Sequence, residues 1–531
     1  MKKKIYQWHR TTSLIIAIPV ILWASSGFMH PIMTTIRPKV ATQFLQASAI
    51  DTSKIKMPLQ EVLSNNHIDS ITNFRFVHID TNWFYQIQLP NNNVPTYVST
   101  KTGKRLANGD WLYAQYLAKH FLEGQENNKT ENNKTEALTA TASSHDCCDA
   151  ASECVLNNTK GAKVTDATSV TAFDNEYKSI NRLLPVYKVV FARADGIRIY
   201  VETTQDRFSF AMDNKRAIFD AIFRWFHNWG WLSFLGKAQF VVEFILVSLA
   251  FLTALMGVYI FFISKSKKVA SNTVVKTRRS HRFTSIAITL FTLMFTFSGA
   301  YHAFTKIFPP KENPEPQVPA FASKQLHLSI AQLQQIVHAP IANVSIVIIN
   351  GQAYWQVNTK KNYQAKADAK KPVNDLMKAK VVPPPSATYI NTANNAILQN
   401  GELVYASYLA SQYSGHKIGE VAKIDTIVKF ADEYGFVNKR LPVFKVAYNA
   451  NHNERYYIET STGKLALRVD DIDVIEGYSF SILHKHEFMA WAGKPVKDFS
   501  TMFWAMAQIA VVVIGMILYF KTKAKKKMSQ T

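Results

Sequence analysis

The chain has 531 residues, 47% of them hydrophobic and 19% charged, and a formal net charge of +23. That length allows several domains, and the mixture of apolar and charged residues fits membrane spans alternating with polar modules. The basic excess sits in runs that flank apolar spans (Lys2-Lys3-Lys4, residues 265–279 and residues 521–527), which is the positive-inside pattern of a membrane protein, and no nucleic-acid-binding signature accompanies it.

The first apolar stretch runs from His9-Arg10 to Ser26-Gly27-Phe28-Met29-His30, and it recurs mid-chain from His281-Arg282 to Ser298-Gly299-Ala300-Tyr301-His302. In both copies the two histidines are 21 positions apart. At the helical rise that is about 31 Å, one hydrocarbon thickness. The Lys-rich start, the apolar run and Ala24-Ser25-Ser26 also resemble a cleavable signal peptide. The recurrence of the stretch mid-chain, where no signal peptide can stand, favours a retained helix.

Four spans are expected, at residues 11–33, 238–263, 283–305 and 501–520. The basic runs put both termini and the loop 264–280 in the cytoplasm, so the two long segments between spans lie on the other side. The expected divisions are residues 1–35 for the start and first span, and 36–220 for a first extracytoplasmic domain. Residues 221–263 follow as a returning helix and second span, then 264–280 as a basic loop and 281–306 as the third span. Residues 307–480 make the second outer domain, 481–520 a returning helix and fourth span, and 521–531 a cytoplasmic tail.

The outer segments read as α+β. Residues 83–89 and 198–202 have strand patterning, and residues 108–121 and 400–413 are amphipathic helices. Thr100-Lys-Thr-Gly103 and Thr460-Ser-Thr-Gly463 are turn signals. Residues 126–171 are poor in large apolar side chains, repeat Asn-Asn-Lys-Thr and are expected to be disordered. They hold the chain's three cysteines with one histidine, as His145, Cys147, Cys148 and Cys154. A disulfide with one thiol left over is the plainer reading of these, and a separate soft-metal site the sharper one, although the spacing matches no standard zinc motif.

The duplication extends through the outer domains. Asn181-Arg-Leu-Leu-Pro-Val-Tyr-Lys-Val189 matches Asn438-Lys-Arg-Leu-Pro-Val-Phe-Lys-Val446 at an offset of 257, which also pairs Tyr200-Val-Glu-Thr203 with Tyr457-Ile-Glu-Thr460 and His227 with His484. Asn108-Gly109 matches Asn400-Gly401 at an offset of 292, and the difference, 292 − 257 = 35, measures an insertion in the first half. The expected fold is therefore a membrane α-helical protein with four transmembrane helices in two pseudo-symmetric halves, each carrying an extracytoplasmic α+β domain.

These residues carry a family resemblance. Trp8-His9-Arg10, the exits Ser26-Gly27 and Ser298-Gly299, and the returns Phe226-His227-Asn-Trp-Gly-Trp231 and Leu483-His484-Lys-His-Glu-Phe488 resemble the PepSY-associated transmembrane family of bacterial inner-membrane proteins. The resemblance covers nearly the whole chain. It implies PepSY-like outer domains and a connection with iron, since some members resemble haem-containing ferric-siderophore reductases, while others regulate peptidases.

Six of the 15 histidines fall into three duplicated pairs: His9/His281, His30/His302 and His227/His484. Anchoring at a membrane face needs no imidazole, because tryptophan or tyrosine serves as well. Bis-imidazole ligation of haem b needs histidine itself, one from each of two facing helices. His9 and His281 would hold an inner haem. The outer four would hold a second, through His227 with His484, His30 with His302, or each exit histidine with a return histidine. Trp225, Trp229, Trp231, Trp491 and Trp504 suit either a haem pocket or an interfacial belt.

Such a chain would take electrons from a cytoplasmic or quinol donor and reduce a ferric chelate outside. It has no Gly-rich dinucleotide fingerprint. Its alternative role is that of a non-enzymatic PepSY-domain protein that binds or regulates an envelope peptidase or partner. His486, whose counterpart is Trp229, reads as a surface or secondary group. Glu243, aligned with Ser500, reads as solvated at the interface, or else as a proton or polar contact near the haem. Arg10 and Arg282 suit haem propionates or snorkelling equally, and Glu202 and Glu459 read as structural.

Overall fold

The computed structural model describes every residue except 1, 46–47, 125–161, 265–272, 310–314, 360–386, 431–432 and 529–531. The chain divides into two compact units. One comprises Met1–Arg37, Lys215–Glu312 and Asp471–Thr531; the other comprises Pro38–Asn214 and Asn313–Asp470.

The first unit contains four helices long and apolar enough to cross a membrane: α1 (Lys2–Thr35), α5 (Ala238–Ile263), α6 (Thr273–Ile307) and α10 (Lys494–Met528). Two shorter helices lead back to them, α4 (Asn214–Phe226) ahead of α5 and α9 (Asp471–Tyr478) ahead of α10. Helix α1 packs on α5 and α10, and α6 packs on the same two. The interfaces use small side chains, among them Ala17, Ser26, Ala250, Ser298 and Ala303, all buried. Small residues are what bring helix backbones close where lipid supplies no hydrophobic drive. Helix α6 begins well before the expected third span, so Arg278 and Arg279 of the basic run are helical.

The second unit carries one order of elements twice. Helix α2 (Leu59–Asn65) precedes a sheet of β2 (Asn73–Ile79), β3 (Asn82–Gln88) and β4 (Thr96–Ser99). Helix α3 (Gly109–Glu123) follows, then the antiparallel sheet β5 (Val164–Val170), β6 (Val186–Phe191), β7 (Arg198–Glu202), β8 (Arg207–Met212). Later come α7 (Ile330–Val337), the sheet of β10 (Ile341–Ile349), β11 (Gln352–Thr359) and β12 (Thr388–Asn391), and α8 (Gly401–Ser414). The sheet of β13 (Val421–Ile427), β14 (Val443–Tyr448), β15 (Arg455–Glu459) and β16 (Lys464–Val469) closes the series. A short pair, β1 (Ser70–Ile71) with β9 (Phe321–Ala322), joins the two stretches.

The duplicated Asn-Gly motif has a steric reason. Asn108 and Asn400 both turn the chain at φ 52°. A Cβ on Gly109 or Gly401 would stand 2.7 or 2.5 Å from the ring of Tyr97 or Tyr389. Each ring hydroxyl in turn bonds a helix carboxylate, Tyr97 to Asp110 at 2.8 Å and Tyr389 to Glu402 at 3.2 Å. Gln86 and Gln356 donate to the same hydroxyls and, at 3.1 Å each, to the carbonyls of Thr203 and Thr460, tying the three-stranded sheet to the four-stranded one.

Glu202 and Glu459 are structural: both are 1% exposed and share Arg207 and Arg440 in a four-charge network with contacts of 2.5 to 3.3 Å. One expectation is corrected. Val164–Val170, inside the stretch expected to be disordered, is a strand paired along β6, held to α3 by the burial of Ala167 and by Trp111 Nε1 donating to the Ala167 carbonyl at 2.9 Å. His145, Cys147, Cys148 and Cys154 lie outside the described residues.

Candidate functional site

Six imidazoles of the first unit gather at two levels of the four-helix bundle. At the end nearest the chain termini, His9 of α1 places Nδ1 3.2 Å from the carbonyl of Thr253 on α5. His281 of α6 likewise bonds a carbonyl of a facing helix, that of Val511 on α10, and its Nδ1 lies 3.5 Å from Ser285 Oγ. The two acceptors are 511 − 253 = 258 positions apart, and one turn beyond each is a glycine, Gly257 and Gly515, that leaves room for the ring. A carbonyl only accepts, so in His9 Nδ1 carries the proton and Nε2 keeps its lone pair. The two imidazoles lie within electrostatic reach of one another.

At the opposite end, His227 follows α4 and His484 ends a wide π-type turn, Ser479–His484. Their Nδ1 atoms each lie 3.1 Å from a serine hydroxyl, of Ser26 on α1 and Ser298 on α6. Both serines are buried and spend their own hydrogen on a helix carbonyl, Leu22 at 2.7 Å and Phe295 at 3.1 Å. A hydroxyl whose hydrogen points to its helix carbonyl accepts from the imidazole, an arrangement that puts the proton on Nδ1 and leaves Nε2 its lone pair. Trp23 Nε1 donates to the carbonyl of His227 at 3.0 Å and steadies that turn. Burial pushes the pKa of His227 down to about 4 and that of His484 well below its usual range, so both rings are neutral, as a metal ligand must be.

The outer four imidazoles form a ladder of rings. His30 packs on Phe223 (centroids 5.3 Å apart), Phe223 stacks on His227 (4.5 Å), and His227 faces His484 at 6.0 Å with planes at 82°. His484 then stacks on Phe480 (4.8 Å) and Phe480 on His302 (4.9 Å). The return histidines are direct neighbours. The exit histidines stand at the far ends, each behind a phenylalanine. His302 also places Nδ1 2.6 Å from Glu476 of α9.

His486 is corrected from a surface group to a fully buried one. Its φ of 53°, like that of Trp229 at 45°, turns the side chain back into the bundle. There it meets Phe291, Phe295 and Phe488, and Nδ1 lies 3.1 Å from Ser500. Nothing in the sequence signals this burial except its alignment with a tryptophan. Glu243 bonds Gln239 at 2.8 Å, and Arg282 bonds the carbonyl of Phe261 and lies over that ring, while Arg10 is exposed. Sequence reasoning missed Thr253, Val511 and the spacers Phe223 and Phe480; the spacers were visible only as parts of the duplicated return motif. Among the described residues no group of three or more histidines, cysteines or carboxylates is arranged to hold a bare metal ion. No family model matches the chain, and no curated protein matches it.

Proposed function

We propose that the chain is an inner-membrane protein of bacteria, built as two pseudo-symmetric halves with PepSY-like outer domains. It holds two haems b and carries electrons across the bilayer to a ferric chelate outside. The observation that carries this reading is the common setting of four imidazoles, His9, His281, His227 and His484: each is tied to a facing helix by a carbonyl or a serine hydroxyl, and in His9, His227 and His484 the tied nitrogen is Nδ1. Such anchoring of the far ring nitrogen is the usual support of a metal-ligating histidine.

His227 and His484 are direct neighbours, with ring centroids 6.0 Å apart, and these two residues would hold the outer haem. His30 and His302, set behind phenylalanines, are left free of the iron in this assignment. The haem irons supply one-electron chemistry. The chain's own residues do the rest. The two carbonyls and two serines hold the rings in place, the four apolar helices exclude water, and Phe223 and Phe480 keep the outer imidazoles upright. Electrons come from a quinol or a cytoplasmic partner. Reduction of the chelated iron weakens its hold on hard oxygen donors and releases it.

The test is the absorption spectrum of the detergent-purified protein from a haem-replete host. A Soret band that sharpens and shifts on dithionite supports the reading. A colourless preparation would overturn it in favour of a non-enzymatic PepSY protein that binds an envelope peptidase.

A further inference from the structure

The outer end of the bundle departs from the duplication around one exit histidine. His302 Nδ1 lies 2.6 Å from Glu476 Oε1. The position that matches Glu476 at the 257 offset is Phe219, so the duplication does not repeat this carboxylate at the equivalent place in α4. His302 also keeps one face on Phe480, whose other contact is His484. The side chains of the pair are 37% and 21% exposed on the surface of the bundle. The other charged or titratable groups facing His302 are Glu243 on α5 and the imidazoles of His227 and His484. Lys306, one turn further along α6, lies within electrostatic reach of both Glu243 and Glu476.

We propose that the His302–Glu476 pair is the proton donor for reduction of the chelate at the outer end. This rests on the haem reading above and assigns a chemical step to it. A carboxylate hydrogen-bonded to one imidazole nitrogen orients the ring and fixes its tautomer, the arrangement general acid–base catalysis uses. A haem held by His227 and His484 would supply the one electron that converts the chelated Fe(III) to Fe(II). The bond from that iron to a chelate oxygen breaks, and the oxygen keeps the electron pair. It takes the proton from His302 Nε2, leaving the neutral imidazole whose Nδ1–H remains on Glu476. Water on that side returns the proton to Nε2. The acceptor class is therefore a chelate with basic oxygen donors, such as a hydroxamate, which must be protonated if iron is to leave.

The experiment uses the full-length protein in detergent, reduced chemically, with two acceptors: a ferric trihydroxamate, which takes up protons as iron leaves, and ferricyanide, which takes an electron alone. Glu476→Gln is expected to keep the wild-type Soret absorbance and the ferricyanide rate. It should slow trihydroxamate reduction at least tenfold at neutral pH and abolish its solvent deuterium isotope effect, and His302→Gln should do the same. Equal rates with both acceptors in the variants, or equal losses with both, would overturn the assignment. Loss of haem absorbance in His302→Gln would overturn it too, by making His302 an axial ligand. A wild-type protein without haem is a different result, the failure of the haem reading itself.

Discussion

Replacing Gly515 by alanine should disturb the inner histidine pair more than replacing Gly257. An added Cβ at position 515 would stand 3.1 Å from Cε1 of His281 and 3.7 Å from its Nε2, whereas at position 257 it would stand 3.5 Å from Cε1 of His9. Carbon–carbon contact is optimal near about 3.5–4.0 Å, so the His281 ring must move by about 0.4 Å or more while His9 need not move at all. The helix-propensity gain of glycine to alanine, at most about 1 kcal/mol, is common to both sites and cancels in the comparison. Disturbing the support of a metal-ligating imidazole typically costs about 10–100-fold in affinity. Gly515→Ala should therefore lose the inner haem on purification while Gly257→Ala keeps it. The ratio of haem to protein reads this directly, expected near two per chain for wild type and Gly257→Ala and near one for Gly515→Ala. If Gly257→Ala lost as much haem as Gly515→Ala, the reasoning from imidazole clearance would be wrong.

Three further outcomes follow from the same geometry. His9→Ala or His281→Ala should remove the inner haem and stop transmembrane transfer, and full haem stoichiometry in either variant would refute that pairing. Ser26→Ala and Ser298→Ala each remove the acceptor from a buried Nδ1–H, a loss of about 1–3 kcal/mol, and lower the basicity of the ligand; potentiometric titration should find the outer midpoint raised and the inner one unmoved. Glu459 is held at a pKa of about 2 despite burial, because Arg207 and Arg440 stabilise its charge. A depressed carboxylate contributes stability that is present above its ordinary pKa of 4.5 and lost as pH falls toward 2. Glu459→Gln should therefore cost about 3–5 kcal/mol at neutral pH, with the gap to wild type closing between those values. A gap that stays constant in acid unfolding followed by circular dichroism would count against the network.

The spans and the outer elements were legible in the sequence because they rest on local chemistry. Twenty or so apolar residues in a row can satisfy their backbone in lipid only as a helix. Arg198–Glu202 alternates as a strand and is one, and Asn108-Gly109 announces the start of α3 because only a glycine lies close enough to Tyr97. The depth of each histidine along its helix could be counted from residue numbers. What counting residues cannot supply is the lateral neighbour of a ring, which depends on the rotation of each helix and on its packing partners. Tertiary structure alone set His227 against His484, put Phe223 and Phe480 between them and the exit histidines, and drew Glu476 to His302 from another helix. It also buried His486 and turned Val164–Val170 into a strand, since a residue in left-handed backbone and a polar edge strand both take their place from the elements packed around them.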